Sequence, residues 1–142
     1  MRRKISYLLA LAVSITAIGT GSADAATKLN PQMQALVDSY QKEAGVKAFS
    51  ADEGKKLFMS KRMHSVKKEE RSCTTCHTTN PAQTGKTVVG KPIDPISPAV
   101  TKDRFTDPKK VEKWFKRNCE WVLERECTPK EKGDYITFMT SL

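Results

Sequence analysis

Long apolar runs are scarce in this sequence of 142 residues. The main one, residues 7–18, is too short to span a bilayer comfortably. It follows a basic cluster, Arg2, Arg3 and Lys4, and precedes Ala23-Asp24-Ala25, a small-x-small cleavage pattern. That order predicts an export signal over residues 1–25, with an uncleaved membrane anchor as the alternative. Strand signal is also poor, since Thr87-Val88-Val89 is the only β-branched run. Internal repeats and low-complexity tracts are absent. Histidine is limited to His64 and His77, and aromatic residues make up 7% of the chain. No methionine occurs between positions 78 and 138.

Residues 26–142 amount to one domain. The first 25 residues take three bases and one acid, leaving 22 Lys+Arg against 15 Asp+Glu, or +7. With no nucleic-acid-binding motif and an export signal, that surplus excludes nucleic acid as the expected partner. It fits either a solvated surface or steering towards acidic partners.

Helix signals recur. Asn30 caps a helix with Pro31 at its first position, ending at Ala44 before Gly45. Ser50-Ala51-Asp52-Glu53 reads as a capping box, opening a helix with Leu57, Phe58 and Met63 that fades near His64. Lys67 to Arg71 is a charged stretch expected at the surface. Residues 78–102 hold Pro81, Gly85, Gly90, Pro92, Pro95 and Pro98, which forbid a long helix. Such a span is long for a structureless loop unless it wraps a cofactor. Thr106 and Pro108 start another helix, whose Val111, Trp114, Phe115 and Asn118 share a face. Thr128-Pro129-Lys130-Glu131 starts the last one. The expected fold is all-α, with one long loop between its second and third main helices.

Cys73-Thr74-Thr75-Cys76-His77 is a C-x-x-C-H motif. Two thiols three positions apart can add to the two vinyl groups of a haem, and the adjacent His is delivered to the iron. Cys73 and Cys76 are thus read as thioether attachments and His77 as the proximal ligand. A zinc site with help from His64, Cys119 or Cys127, a thioredoxin-like dithiol and a plain disulfide are the alternatives. The first has no favourable spacing, the second lacks a βαβ context, and the third leaves His77 unexplained.

The iron's other side is less determined. The usual Met of an electron carrier is missing from the expected stretch, and Met139 falls inside the last helix. Met59 and Met63 precede the motif. His64 offers bis-His ligation but sits in a basic stretch. Asn118 lies on the apolar stripe with Trp114 and Phe115, either as a ligand or as a helix C-cap. Exported cysteines favour a Cys119–Cys127 bridge. In a straight helix these two would stand about 12 Å apart, against about 7 Å at most for a disulfide. A bridge therefore requires a turn between them, with the helix ending near Asn118.

These segments resemble the sphaeroides haem protein family. The likeness is carried by Ser72 to His77, Gly90-Lys91 with Pro95 and Pro98, Asp103-Arg104-Phe105-Thr106-Asp107, Val111-Glu112-Lys113-Trp114, Arg117-Asn118-Cys119 and Cys127-Thr128-Pro129. The resemblance implies a class I cytochrome c fold around one covalent haem c. It also implies Asn118 as the axial ligand of the oxidised iron, and a Cys119–Cys127 disulfide. The implied function is periplasmic electron acceptance with binding of O2, NO or CO, Trp114 and Phe115 keeping the pocket apolar. The implied electron donor is a dihaem cytochrome c, beside a membrane b-type cytochrome. The rival reading is a simple six-coordinate electron carrier. No acid–base pair argues for dedicated catalysis, so enzyme status stays open.

Overall fold

The structure, a computed structural model, describes residues 26–142. The expected signal segment lies outside them. Five helices and two short hairpins follow in the order α1 (Pro31–Ala44), α2 (Ala51–Met59), β1 (Arg62–Met63), β2 (Glu70–Arg71), α3 (Thr74–His77), β3 (Gly85–Lys86), β4 (Pro92–Ile93), α4 (Pro108–Leu123) and α5 (Pro129–Thr140).

Local chemistry sets most helix ends. The Asn30 Oδ1 accepts the Met33 N–H at 2.8 Å, and Gly45 ends α1 in the left-handed region at φ 66°. The Thr128–Glu131 capping box forms in both directions. The one expected at Ser50 forms in one direction only. Ser50 Oγ accepts the Glu53 N–H, but the Glu53 carboxylate turns to Lys56. The Ser50 N–H donates instead to Asp134 on α5 at 2.8 Å, so a tertiary contact replaces the local one. The cap of α4 is Asp107, which accepts from Lys109 and Lys110. The Thr106 hydroxyl is already spent on the Asp103 carbonyl.

The packing centres on α5. Helix α2 lies against it so closely that a Cβ at Gly54 would sit 2.0 Å from the Asp134 carbonyl oxygen. On the other side, α1 packs on α5 and touches α4. One core cluster joins Met33, Val37 and Tyr40 to Phe115, Cys119, Cys127 and Ile136. A second holds Phe58, Phe138 and Met139.

Several expectations need correction. The class I cytochrome c fold is replaced by an all-α, multi-helix bundle around α5. The haem motif specifies how a cofactor is attached; it does not dictate how helices are arranged. Helix α2 stops at Met59, and Met63 falls in β1, exposed. Strands β1 and β2 pair antiparallel. Arg71 of the supposedly exposed stretch is buried, 8% accessible, because it donates to the Trp121 carbonyl and pairs with Glu69. The Pro/Gly-rich span is not one plain loop: β3 and β4 pair antiparallel. Thr87-Val88-Val89 forms their turn and not a strand. The same span is closed further by Pro81, whose carbonyl takes the Ile96 and Ser97 N–H groups.

Candidate haem site

The motif occupies α3, a single helical turn. The Cys73 carbonyl accepts the His77 N–H at 3.0 Å, and the Ser72 N–H donates to Thr75 Oγ1 at 3.1 Å. Strand β3 presses against this turn. A Cβ on Gly85 would meet the Cys76 carbonyl oxygen at 2.0 Å, so glycine is needed for the approach. Directly after His77 the backbone of Thr78 takes φ 59° and ψ 177°. That strained conformation, uncommon for a β-branched residue, turns the chain sharply away from the motif.

Cys73, Cys76 and His77 line a cavity of about 330 Å³, as do Val111, Trp114, Phe115, Asn118 and Cys119 of α4. This is within the size range of a buried cofactor site. Ile93, Ile96, Phe105 and Tyr135 complete its apolar wall, and Arg104 brings a cation to it. The Arg104 guanidinium is aimed by the Pro95 carbonyl at 3.1 Å and the Asp94 carbonyl at 2.9 Å. Burial, helped by Arg104, pulls the His77 imidazole below its ordinary pKa and keeps it neutral, the form that coordinates metal. Burial pushes the Cys73 thiol up to about 11 and raises that of Cys76.

Cys119 and Cys127 form a disulfide, with Cα atoms 5.5 Å apart. The turn it requires comes later than expected. Helix α4 runs on to Leu123, and Glu124 reverses the chain in the left-handed region at φ 56°. Asn118 therefore caps nothing; it stands within α4, more than a turn before its end, solvent-accessible along the cavity wall. The bridge holds Cys119, its neighbour, to the start of α5.

The other candidates fall away from the cavity. His64 sits in the β1–β2 hairpin, where its Nδ1 accepts the Val66 and Lys67 N–H groups. It does not line the cavity, nor do Met59, Met63 or Met139. Met139 is wholly buried in the second core cluster. Among the described residues no group of three or more His, Cys, Asp or Glu could hold a metal ion, and neither His64 nor the bridged Cys119 and Cys127 offers the zinc alternative a free ligand beside the motif. Sequence reasoning gave no site role to Arg104 or Tyr135. Arg104 stood within a segment that carries the resemblance, and Tyr135 carried no signal beyond being aromatic. Of Glu120 and Trp121, the pair between the cysteines that could shape the distal pocket, Trp121 lines the cavity and Glu120 does not.

A histidine directly after two cysteines three positions apart, on an apolar wall with one guanidinium, fits a haem held by thioethers. Comparison with known proteins agrees. A family model described as a domain of unknown function (DUF1924) matches residues 44–139. The cytochrome c-type protein SHP of Cereibacter sphaeroides is 42% identical over 106 residues, which are 75% of this chain and 81% of that protein. The structure of oxidised SHP, described as an oxygen-binding cytochrome c, superposes with a TM-score of 0.70 at 38% identity, covering 83% of this chain and 100% of that one. Oxidised cytochrome c'' from Methylophilus methylotrophus gives 0.67 at 37% identity, over 75% and 91%. These matches supply the bundle that displaces the class I assignment. The chain belongs to the SHP family of periplasmic monohaem c-type cytochromes and carries a single covalently attached haem c.

Proposed function

We propose that this chain, exported to the periplasm by a signal cleaved after Ala25, accepts one electron and then binds a small diatomic ligand, O2, NO or CO. The observation that carries this reading is that His77 and Asn118, from separate elements, line one cavity with both motif cysteines. The haem supplies a redox-active iron whose oxidation state sets its preference among axial donors.

The protein's own part follows from its residues. The Cys73 and Cys76 S–H groups add across the two vinyl C=C bonds, which fixes the cofactor beside α3. His77 offers a neutral imidazole nitrogen. Asn118 offers an amide oxygen, a neutral and relatively hard donor that suits ferric better than ferrous iron. With haem bound, such a donor would be held less firmly after reduction, leaving room on its side for a ligand. The released amide stays on α4, where it can donate a hydrogen bond to the incoming ligand. Val111, Phe115, Ile93 and Ile96 keep water away. A dihaem cytochrome c is the proposed electron donor, with a membrane b-type cytochrome behind it.

Asn118→Ala tests the distal role. The ferric variant is expected to lose the six-coordinate low-spin spectrum and turn high-spin, while its ferrous spectrum matches that of the parent. A ferric variant that keeps the parental low-spin spectrum removes Asn118 from the iron and leaves a plain electron carrier.

A further inference from the structure

The outer face of α4 carries a density of positive charge that the fold does not use. Lys109, Lys113, Lys116 and Arg117 are all exposed. At 3.6 residues per turn they form a stripe about 100° wide and about 12 Å long. Among the described residues none of the four makes an ion pair; on this helix Lys110 pairs with Asp103 at 3.2 Å and Glu112 with Lys132 at 2.7 Å. Glu112 also accepts from the Tyr40 hydroxyl, so it is turned towards α1 and α5. The Asp107 cap and exposed Glu120 are the acids left at the stripe's two ends, and exposed Glu126 lines a groove beside Lys113 and Lys116 without pairing to either.

This arrangement works against the helix. Cations near an N-terminus oppose the macrodipole, and the first turn of α4 holds no acid to offset them. Lys109 with Lys113, and Lys113 with Arg117, repel at the i, i+4 spacing, and of the four only Lys116 has acids, Glu112 and Glu120, at that spacing. A stripe that costs stability calls for an external counterpart.

Its position names the kind. Along one edge lies Trp114, 45% exposed, which also lines the haem cavity. The Arg117 guanidinium lies over the indole, 5.1 Å from the ring centroid. Trp and Arg are the residues most often found at the energetic centres of protein interfaces. A helix meant for a lipid surface would turn its apolar face outward beside the lysines. Here Val111, Phe115, Cys119 and Val122 face the cavity and core, and Trp114 is the exception.

We propose that the Lys109–Lys113–Lys116–Arg117 stripe, with Trp114 at its inner edge, docks an acidic protein that donates one electron. The proposal rests on the haem reading above. One electron leaves the donor's reduced centre and arrives at the ferric iron, so the donor is oxidised by one and the iron reduced by one. Opposite charge steers the encounter, and Trp114 sets the contact next to the cavity.

The test uses the haem-loaded protein and reduced flavodoxin, an acidic one-electron donor, in stopped flow. The rate constant is expected to fall at least about tenfold between low and high salt. A K109E/K113E/K116E variant should be slower by at least about tenfold at low salt. A K42E/K47E variant, reversed on and just after α1, should keep the parental rate. Reduction by the neutral, strongly reducing 5-deazariboflavin semiquinone should be the same for all three proteins. Equal slowing of the two variants, or a rate indifferent to salt, overturns the proposal. So does cosedimentation of the parent, but not of the α4 variant, with phosphatidylglycerol vesicles when their flavodoxin rates agree. If the parent is not reduced even by this small reductant, the haem redox reading itself fails, and the docking proposal with it.

Discussion

His77 and Asn118 differ in how firmly the chain commits them. His77 is tied by its place at the end of a one-turn helix, directly after the second attachment point at Cys76, with Gly85 pressed against the same turn. Asn118 is held only by its helix, which the disulfide at the neighbouring Cys119 fastens to the segment before α5. A firm donor on one side and a detachable one on the other is what redox-dependent ligand exchange requires. Away from the iron, Glu131 carries the clearest pH signature. Two bonds from Arg125, at 2.8 and 2.7 Å, and the Thr128 N–H hold its carboxylate down at about 2. Its folded pKa lies below the unfolded one, so its contribution is complete above about 4.5 and is lost as pH falls towards 2. Glu131→Gln should therefore lower the melting temperature at pH 7 and flatten the acid limb of the stability curve, read by circular dichroism from pH 2 to 7. An unchanged acid limb would remove this cluster as the cause.

Among the elements, the crossing of α2 and α5 has the least tolerance. Gly54→Ala places a methyl group 2.0 Å from a backbone carbonyl oxygen, with the Phe138 Cβ 2.8 Å away. The helices must separate, at a cost of about 1–3 kcal/mol or more, measurable by urea unfolding of the haem-loaded protein. A near-neutral result would show that the crossing relaxes freely. This level also shows what the sequence discloses. Asn30, Pro31 and Gly45, like Thr128 and Glu131, act within a few residues of the ends they define, so both helices were legible. The hairpins were not. Strands of two residues are too short to show a period of two, and Arg71 is buried through Trp121, fifty positions along the chain. Its guanidinium also stacks on the Trp121 ring at 4.6 Å. Through that contact, and through Ser65 on Glu124, the β1–β2 hairpin clasps the C-terminal end of α4. The cofactor attachment was legible because the motif is contiguous. Asn118 was legible as a member of a stripe, yet its place inside a continuing helix depended on a turn at Glu124 that nothing local to Asn118 announced.

At the scale of the molecule, the haem cavity sits between the two core clusters, with Phe105 and Tyr135 packed against both. The Tyr135 ring meets Phe58, Phe105 and Phe115 at centroid distances of 6.2, 6.4 and 5.5 Å. The cofactor therefore serves as the shared centre of a small fold that buries little core of its own. A Cys73→Ala/Cys76→Ala chain, unable to anchor haem, should lose its cooperative thermal transition while retaining part of its far-ultraviolet helical signal. A sharp melt equal to that of the parent would show that the bundle stands without its cofactor. The central claim concerns the unequal axial pair, and the most direct measurement is electron paramagnetic resonance and visible absorption of the purified protein, first oxidised and then reduced, followed by exposure to CO. The account predicts a low-spin six-coordinate ferric form, a high-spin five-coordinate ferrous form, and rapid CO uptake by the latter. A ferrous form that stays low-spin and six-coordinate without added ligand, and takes up CO only slowly, would contradict it.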